Sequence, residues 1–560
     1  MSAMTMKTAT SINRLLPRLH ILATATAALL LAAGAQAAAP GIQGTAFTLT
    51  AKPDYISQPD GQSVYSWGYA CSASNGAARP STIAAPLSVC SGSMQIPGPT
   101  LIVTQGTFTV TLNNGLPAAA GNTSILFPGL TVVSAVGGTG GPLTQEATPA
   151  SPVTYTLRAD SPGTRAYYSG TQGDLQVEMG LYGAIIVLPT AAPAACGTLA
   201  SGGLPANAPG ANRAARAAWG EADYRLASAA YNQAEACYDR EYLFQFSEMD
   251  PSIHTAVLAQ VTVQDGCTPL AAGCILTVPT EPYHPAYFMI NGRSMPDDMD
   301  PNYALEYPHQ PYNGNPHMHP GEQTLIRVIG QGRWQHPFHE HGNHVRILGR
   351  DGNLILASTA TTEQNLAGPL FFTTTTTPGQ AFDGIFYWTA KGLNWDAYGH
   401  KPGSTDPNAT LSCVPDANGY NTLDASYLRI NYFEFCQDHN KPLQVTPFGD
   451  VPGGGPATLP DPNLFTNGPW FGGSPYLGPD ATTRATFGGC TGSNTTTNSS
   501  TTGTTPPSGT IANNPSSEAG FAFMWHSHNE REITTNNVFP GGMLMMMLVD
   551  SREYLIDESN

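Results

Sequence analysis

Charge is scarce in this chain: only 11% of its 560 residues are Asp, Glu, Lys or Arg. The few charges are lopsided, with 23 Lys and Arg against 40 Asp and Glu and a formal net charge of −17. Such a balance disfavours nucleic acid and anionic membrane surfaces as partners and suits small cationic ligands, metal ions included. No Cys-x-x-Cys pair occurs, so a thiol-redox or zinc-knuckle role has no support. Beyond the N-terminus no apolar run is long enough to span a bilayer. At the N-terminus, Lys7, Arg14 and Arg18 precede "ILATATAALLLAAGAQA", and Ala35-Gln36-Ala37 offers a small-residue cleavage site. Residues 1–37 therefore read as a secretory leader, and the mature protein is expected in the periplasm or outside the cell.

Glycine (59) and proline (48) are abundant and punctuate strand-like runs throughout, which predicts an all-β protein. Nine cysteines in an exported chain imply disulfides with one thiol left over. Local pairings are candidates: Cys71 with Cys90, Cys196 with Cys237, Cys267 with Cys274, and Cys413 with Cys436. Cys490 is then the odd one, although the sequence does not fix connectivity.

Residues 44–190 read as a first β domain. In it "GPTLIVTQGTFTVTLNN" alternates apolar and polar residues, and "GLYGAIIVLP" has the character of a buried strand. Residues 191–240, with "NRAARAAWGEADYRLASAAYNQAEACYD", have helical composition and predict a partly helical connector. A second β region covers 241–550, interrupted at about 400–520 by loop-like sequence such as "TGSNTTTNSSTTGTTPPSGT". The two β regions share an order of features. "TQGTFTVTLNN", "SILFPGL", "AYYSG" and "MGLYGAIIV" in the first correspond to "HPGEQTLIRVIG", "HPFHEHG", "MWHSH" and "PGGMLMMMLV" in the second.

Of 14 histidines, six fall in two short windows of the second region: His336, His339, His341, His344, His526 and His528. On a strand, residues i and i+2 share a face with Cα atoms roughly 6.6 Å apart. His339 and His341 therefore share a face, as do His526 and His528, and neighbouring strands would bring four imidazoles together. Such a donor set suits copper, with zinc also compatible. His336 has the opposite parity and should point to a different site. His317 and His319 in "NPHMHPGE" fit either a surface loop or an auxiliary metal contact. Alternation puts Met543, Met545 and Met547 on one face and Met546 on the other. Thioethers can bind Cu(I), but filling a buried strand is the commoner use of such a run.

"HPFHEHGNHVRILGRDG" resembles the multicopper oxidase signature H-P-x-H-x-H-G, and "WHSHNERE…GGM" is similar to that family's closing H-C-H-x-x-x-H…M. "GTRAYYSG…MGLYGAIIV" resembles its Y-H-S-H…G segment. The resemblance implies cupredoxin-like Greek-key β-sandwiches, two by spacing, with three domains left open. It further implies a type 1 copper that takes electrons from substrate and a trinuclear cluster that reduces dioxygen. Carried over by position, His336 matches a type 1 ligand and Met543 is a candidate for its axial methionine. His339 matches a type 2 ligand, and His341, His526 and His528 match type 3 ligands.

Several family positions hold other residues. Leu126 and Pro128 stand in the first histidine motif, and Tyr168 and Gly170 in the second. Ser527 replaces the type 1 cysteine and Glu532 the type 1 histidine that follows it. An alcohol neither ligates copper as a thiolate does nor provides a covalent electron route near neutral pH. Cys436, in Cys-x-x-His spacing with His439, offers a displaced thiolate or a disulfide partner. Tyr168 offers either a phenol oxygen or an aromatic filling vacated space. The expectation is an exported protein that binds one copper ion and acts in copper handling or a modified redox reaction. Two alternatives are an oxidase of phenols or of Mn, Fe or Cu ions with rebuilt ligands, and a non-catalytic scaffold. Oligomeric state is left open.

Overall fold

The computed structural model describes residues 39–80, 90–196, 222–233, 236–319, 322–358, 366–388, 473–476, 520–549 and 556. The expected leader, Cys413, Cys436, Cys490 and most of the expected insertion lie outside these residues.

The described chain is almost entirely β, folded as four principal sheets that pack in pairs. In the first half a five-stranded sheet runs in the order Gly163–Tyr168, Tyr182–Leu188, Gly98–Thr104, Gly41–Gln43, Ala77–Arg79. Its partner has six strands, with Ala46–Ser57 and Gly106–Asn114 at the centre. The alternation read in "GTFTVTLNN" is realised there: Phe108, Val110 and Leu112 point inward and the threonines between them do not. These residues join Trp67, Tyr69, Leu101, Val103, Ile185 and Val187 in one core between the sheets.

The second half repeats the arrangement. A sheet built on Arg240–Met249, Gln323–Gly330 and Ala381–Tyr387 faces one built on His336–Glu340, Gly520–Ser527 and Leu544–Val549. Met543, Met545 and Met547 are fully buried in the core between them, while Met546 is half-buried. The parity reading of the methionine run holds, and its side chains pack beside Trp525, Phe338 and Phe386. His317 and His319 are not on a surface loop. His317 and Met318 pair with the terminal Leu544–Val549 strand, and both histidines are buried.

The outer face of the five-stranded sheet packs on the second half. Ile102, Ala166, Ala184, Ile186 and Leu188 meet Leu243, Ile329 and Ala381. Strands Tyr182–Leu188 and Arg240–Met249 are consequently buried along their whole length. Charged groups are sealed into the same layer: Arg327 lies between Glu241 and Asp383, and Asp383 also accepts from Thr164 and Tyr231.

Three of the expected disulfides form: Cys71–Cys90, Cys196–Cys237 and Cys267–Cys274. Of the expected connector, residues 197–221 and 234–235 lie outside the described residues, and the described residues 191–196, 222–233 and 236–239 hold no α-helix. These are tied down by the Cys196–Cys237 bond and by Arg225, whose guanidinium holds Asp223 and the Tyr238 carbonyl. A helix that composition did not suggest covers Pro251–Val263, capped by Asp250, whose side chain accepts from the Ser252 amide. No helix among the described residues is long and apolar enough to cross a membrane.

Candidate metal centre

The two histidine pairs are brought together by strand register. His336–Glu340 and Gly520–Ser527 are antiparallel neighbours in which His339 stands opposite His526 and Phe338 opposite Ser527. The i, i+2 rule adds His341 and His528 to the same side. The nearest ring nitrogens of His339, His341 and His526 all lie within 4.8 Å of one another. The His528 ring centroid is 4.9 Å from that of His339, and His528 is exposed, so the group opens toward solvent on that side.

Hydrogen bonds orient the rings. His526 Nδ1 lies 2.6 Å from the Ser527 carbonyl, which can only accept, so Nδ1 carries the proton and Nε2 presents its lone pair. That Nε2 faces His341 Nε2 at 3.2 Å, a separation at which the two nitrogens share a proton or a cation. His339 Nδ1 is 2.8 Å from Thr373 Oγ1 on the adjoining strand. Burial, followed by the charge of His341, pushes His339 down to about 4. Burial also lowers His526. Both rings are therefore neutral near pH 7, the state a metal requires. Three convergent imidazoles, those of His339 and His526 neutral near pH 7, fit one copper or zinc ion.

The positions that the resemblance assigns to type 1 copper also meet, but with different chemistry. Ser527 Oγ donates to Glu532 Oε2 at 2.5 Å, and the same oxygen lies 2.9 Å from His336 Nδ1. The Met543 amide donates to the Glu532 carbonyl, and the Met543 carbonyl accepts from the Ser527 amide. A second carboxylate completes the group: Glu248 Oε2 lies 2.8 Å from His336 Nε2. With both ring nitrogens held by carboxylates and no free thiol among the described residues, the residues at these positions do not fit a type 1 copper. Glu248 has no motif around it in the sequence, and only packing brings it to His336.

Burial alone would lower the His336 pKa, but the hydrogen bonds of Glu248 and then Glu532 outweigh it and raise it to about 9. The folded value exceeds the unfolded value of about 6.5, so protonation stabilises the native state. That contribution, on the order of 3 kcal/mol, is complete below about pH 6.5 and lost as pH rises through about 9. Urea unfolding at pH 6 to 9.5 should show this decline, and His336→Gln should flatten it. An equal slope in wild type and variant contradicts the assignment.

The first half has the same local architecture without imidazoles. Leu126 and Tyr168 form a β-bridge, at positions corresponding to the His339–His526 pair. Ser169 and Ser527 play the same part: each Oγ accepts from the amide two residues on, Thr171 or Asn529, at 3.2 Å. Each also reaches a side chain of the following turn, Gln176 or Glu532. Tyr168 is half-buried between the halves, where a Cβ added to Gly379 would lie 3.0 Å from its phenol oxygen. It belongs to the packing of a cleft of about 270 Å³, and the described three-histidine group does not include it. With Leu126, Pro128, Tyr168 and Gly170 in the first half, the described donors do not fit a trinuclear cluster.

A family model described as multicopper oxidase matches residues 81–192. No curated protein matches the sequence. Among solved structures, the multicopper oxidase mgLAC aligns at 14% identity and TM-score 0.41, covering 92% of this chain and 88% of that one. The blue copper oxidase from Nitrosomonas europaea aligns at 13% and 0.40, covering 90% and 85%. A copper nitrite reductase from the same organism aligns at 17% and 0.36, covering 63% and 86%. Residues 81–192 are thus similar to a multicopper oxidase domain, and they lie in an all-β fold of sandwiched sheets.

Proposed function

We propose that this is an exported copper-binding protein with one copper ion held by His339, His341 and His526, with His528 at the open side. It acts in copper handling or in a redox reaction that does not use a type 1 centre. The observation that carries this reading is the convergence of three imidazoles whose nitrogens lie within 4.8 Å. Copper there would supply a one-electron couple in an all-nitrogen environment. The protein's own residues orient the rings through Thr373 and the Ser527 carbonyl. Three disulfides support an oxidising compartment. In domain terms the reading takes residues 44–190 and 241–550 as two cupredoxin-like domains, the second carrying an insertion at about 400–520.

The oxidase alternative draws on one feature, the exposed His528 edge, because catalytic metal sites keep a position open for substrate. A phenol or a metal ion would be the reductant. Copper loading followed by metal analysis and EPR distinguishes the readings. About one bound copper without the intense thiolate band near ~600 nm is expected. That band would overturn the absence of a type 1 site, and no retained metal would favour the scaffold. Oxygen uptake with phenols, Mn(II) or Fe(II) would favour the oxidase.

A further inference from the structure

A hollow of about 570 Å³ lies on the outer face of the sheet that contains Gln323–Gly330 and Ala381–Tyr387. Strand alternation divides that sheet. Val345, Ile347 and Phe386 enter the core between the sheets, so Arg346, Ile385 and Tyr387 project from the opposite face. Register brings the lining together. Arg346 stands opposite Leu370 on one side and Ile385 on the other, and Gln323 stands opposite Tyr387. Directly opposed residues share a face, and all five of these line the hollow. Farther along the same face, Leu325 and Leu348 are covered by Tyr231, Ala236 and Tyr238 of the connector. Leu366 and Ile385 form both the edge of that cluster and a wall of the hollow.

The cation in this row is unpaired. Among the described residues, Arg346 makes one side-chain hydrogen bond, from Nη1 to the Gly368 carbonyl at 3.0 Å, and no carboxylate meets it. The described lining holds no Asp or Glu, in a chain that carries 40 of them. The loop ahead of Arg346 is clamped to the sheet. Asn343 Nδ2 donates to the Tyr387 carbonyl at 2.6 Å, and its Oδ1 accepts from the His344 amide at 2.7 Å. That clamp holds the His344 ring at the rim, where it meets Phe372 with centroids 5.0 Å apart. Leu370 and Phe372 are 54% and 50% exposed, so an apolar lip stands beside the guanidinium.

We propose that this hollow binds a small organic anion, a carboxylate joined to an apolar body the size of an aromatic ring. Its volume is that of a small-molecule site. The planar guanidinium of Arg346 suits two parallel hydrogen bonds to a carboxylate, and the Gln323 amide adds a donor. The body covers Leu370 and Ile385, which flank the cation on either side. A compact anion would leave those side chains in water, and a neutral apolar molecule would leave the guanidinium unpaired. The site does not depend on copper, because no described lining residue belongs to the three-histidine group.

The test titrates the purified full-length protein, stripped of metal, with cinnamate and follows the heat of binding. Cinnamyl alcohol is the neutral counterpart, and acetate is the anion without a body. Cinnamate should bind with a Kd near or below about 1 mM, ordinary for a ligand of its size. Cinnamyl alcohol and acetate should each bind at least about tenfold more weakly. Arg346→Gln should weaken cinnamate by about 10- to 100-fold and erase its advantage over cinnamyl alcohol. Leu370→Ala should weaken cinnamate several-fold through lost apolar contact. Arg346 and Leu370 are both exposed, so neither variant disturbs the core. A wild type that binds no cinnamate at about 10 mM overturns the proposal. So does equal cinnamate affinity in wild type and Arg346→Gln. Acetate binding as tightly as cinnamate would identify a plain charge contact and overturn it too. Because the protein is metal-free throughout, failure here leaves the copper site standing, and failure of copper loading leaves this site standing.

Discussion

His339→Ala is expected to lower copper affinity by more than about 100-fold while leaving the three disulfides and the cooperative unfolding transition in place. Loss of a partner behind a ligand already costs about 10–100-fold, and loss of the ligand itself exceeds that. His339 is the variant to choose because its ring contacts those of His341, His526 and His528, with centroids 4.8, 5.4 and 4.9 Å away. The pH dependence follows from the same geometry. His339 is held down at about 4, by burial first and His341 second, so protons compete with copper only in acid. Copper should be retained at pH 6 and released as pH falls toward about 4. Dialysis against buffers from pH 7 to 3.5, with metal analysis of the retained protein, measures both effects. His336→Gln is the control and should keep its copper, because His336 is engaged by Glu248 and Glu532. Unchanged copper affinity in His339→Ala, or copper lost from His336→Gln alone, would show that the ion sits elsewhere.

Asp383→Ala should destabilise the protein by about 3–5 kcal/mol, the usual cost of breaking a buried charge pair. Asp383 is buried where the two halves meet. Its Oδ2 accepts from the Thr164 amide at 3.0 Å and from Tyr231 at 2.6 Å, and its Oδ1 from Thr164 Oγ1 at 2.5 Å. Arg327 Nη1 lies 3.3 Å from Oδ1, and Glu241 holds the other side of that guanidinium at 2.9 Å. Burial alone would make Arg327 easier to deprotonate, but Glu241 and Asp383 outweigh it and keep the cation charged. Removing Asp383 therefore strands a buried cation with one carboxylate and leaves three donors unmet. Guanidinium unfolding measures the loss. The double variant Arg327→Met, Asp383→Leu should lose less than Asp383→Ala, since it removes both charges and restores apolar volume. A loss below about 1 kcal/mol for Asp383→Ala would mean that water reaches the pair.

Much of the histidine site was legible because strand parity is a local rule. His339 with His341, and His526 with His528, share a face for the same reason that Met543, Met545 and Met547 do. Each reading needed only the period of two. The alternation through Phe108, Val110 and Leu112 was legible on the same ground. Short-range disulfides were also within reach, Cys267 and Cys274 lying only seven residues apart. The Pro251–Val263 helix was not, since composition gave no sign of it beyond an Asp-Pro start. His317 and His319 look like loop residues in sequence, yet pairing with the terminal strand buries them.

The sequence alone determined the donor chemistry: imidazoles in the second half, none at the corresponding first-half positions, and an alcohol and a carboxylate where a type 1 site needs a thiolate and a histidine. No folding can change those functional groups. Tertiary structure decided which of them meet. It set His339 opposite His526 across a strand pair, and it brought Glu248 to His336 from 88 residues away. Those outcomes depend on register and on contacts between segments distant in the chain, which hydrophobic burial selects only when the whole core assembles.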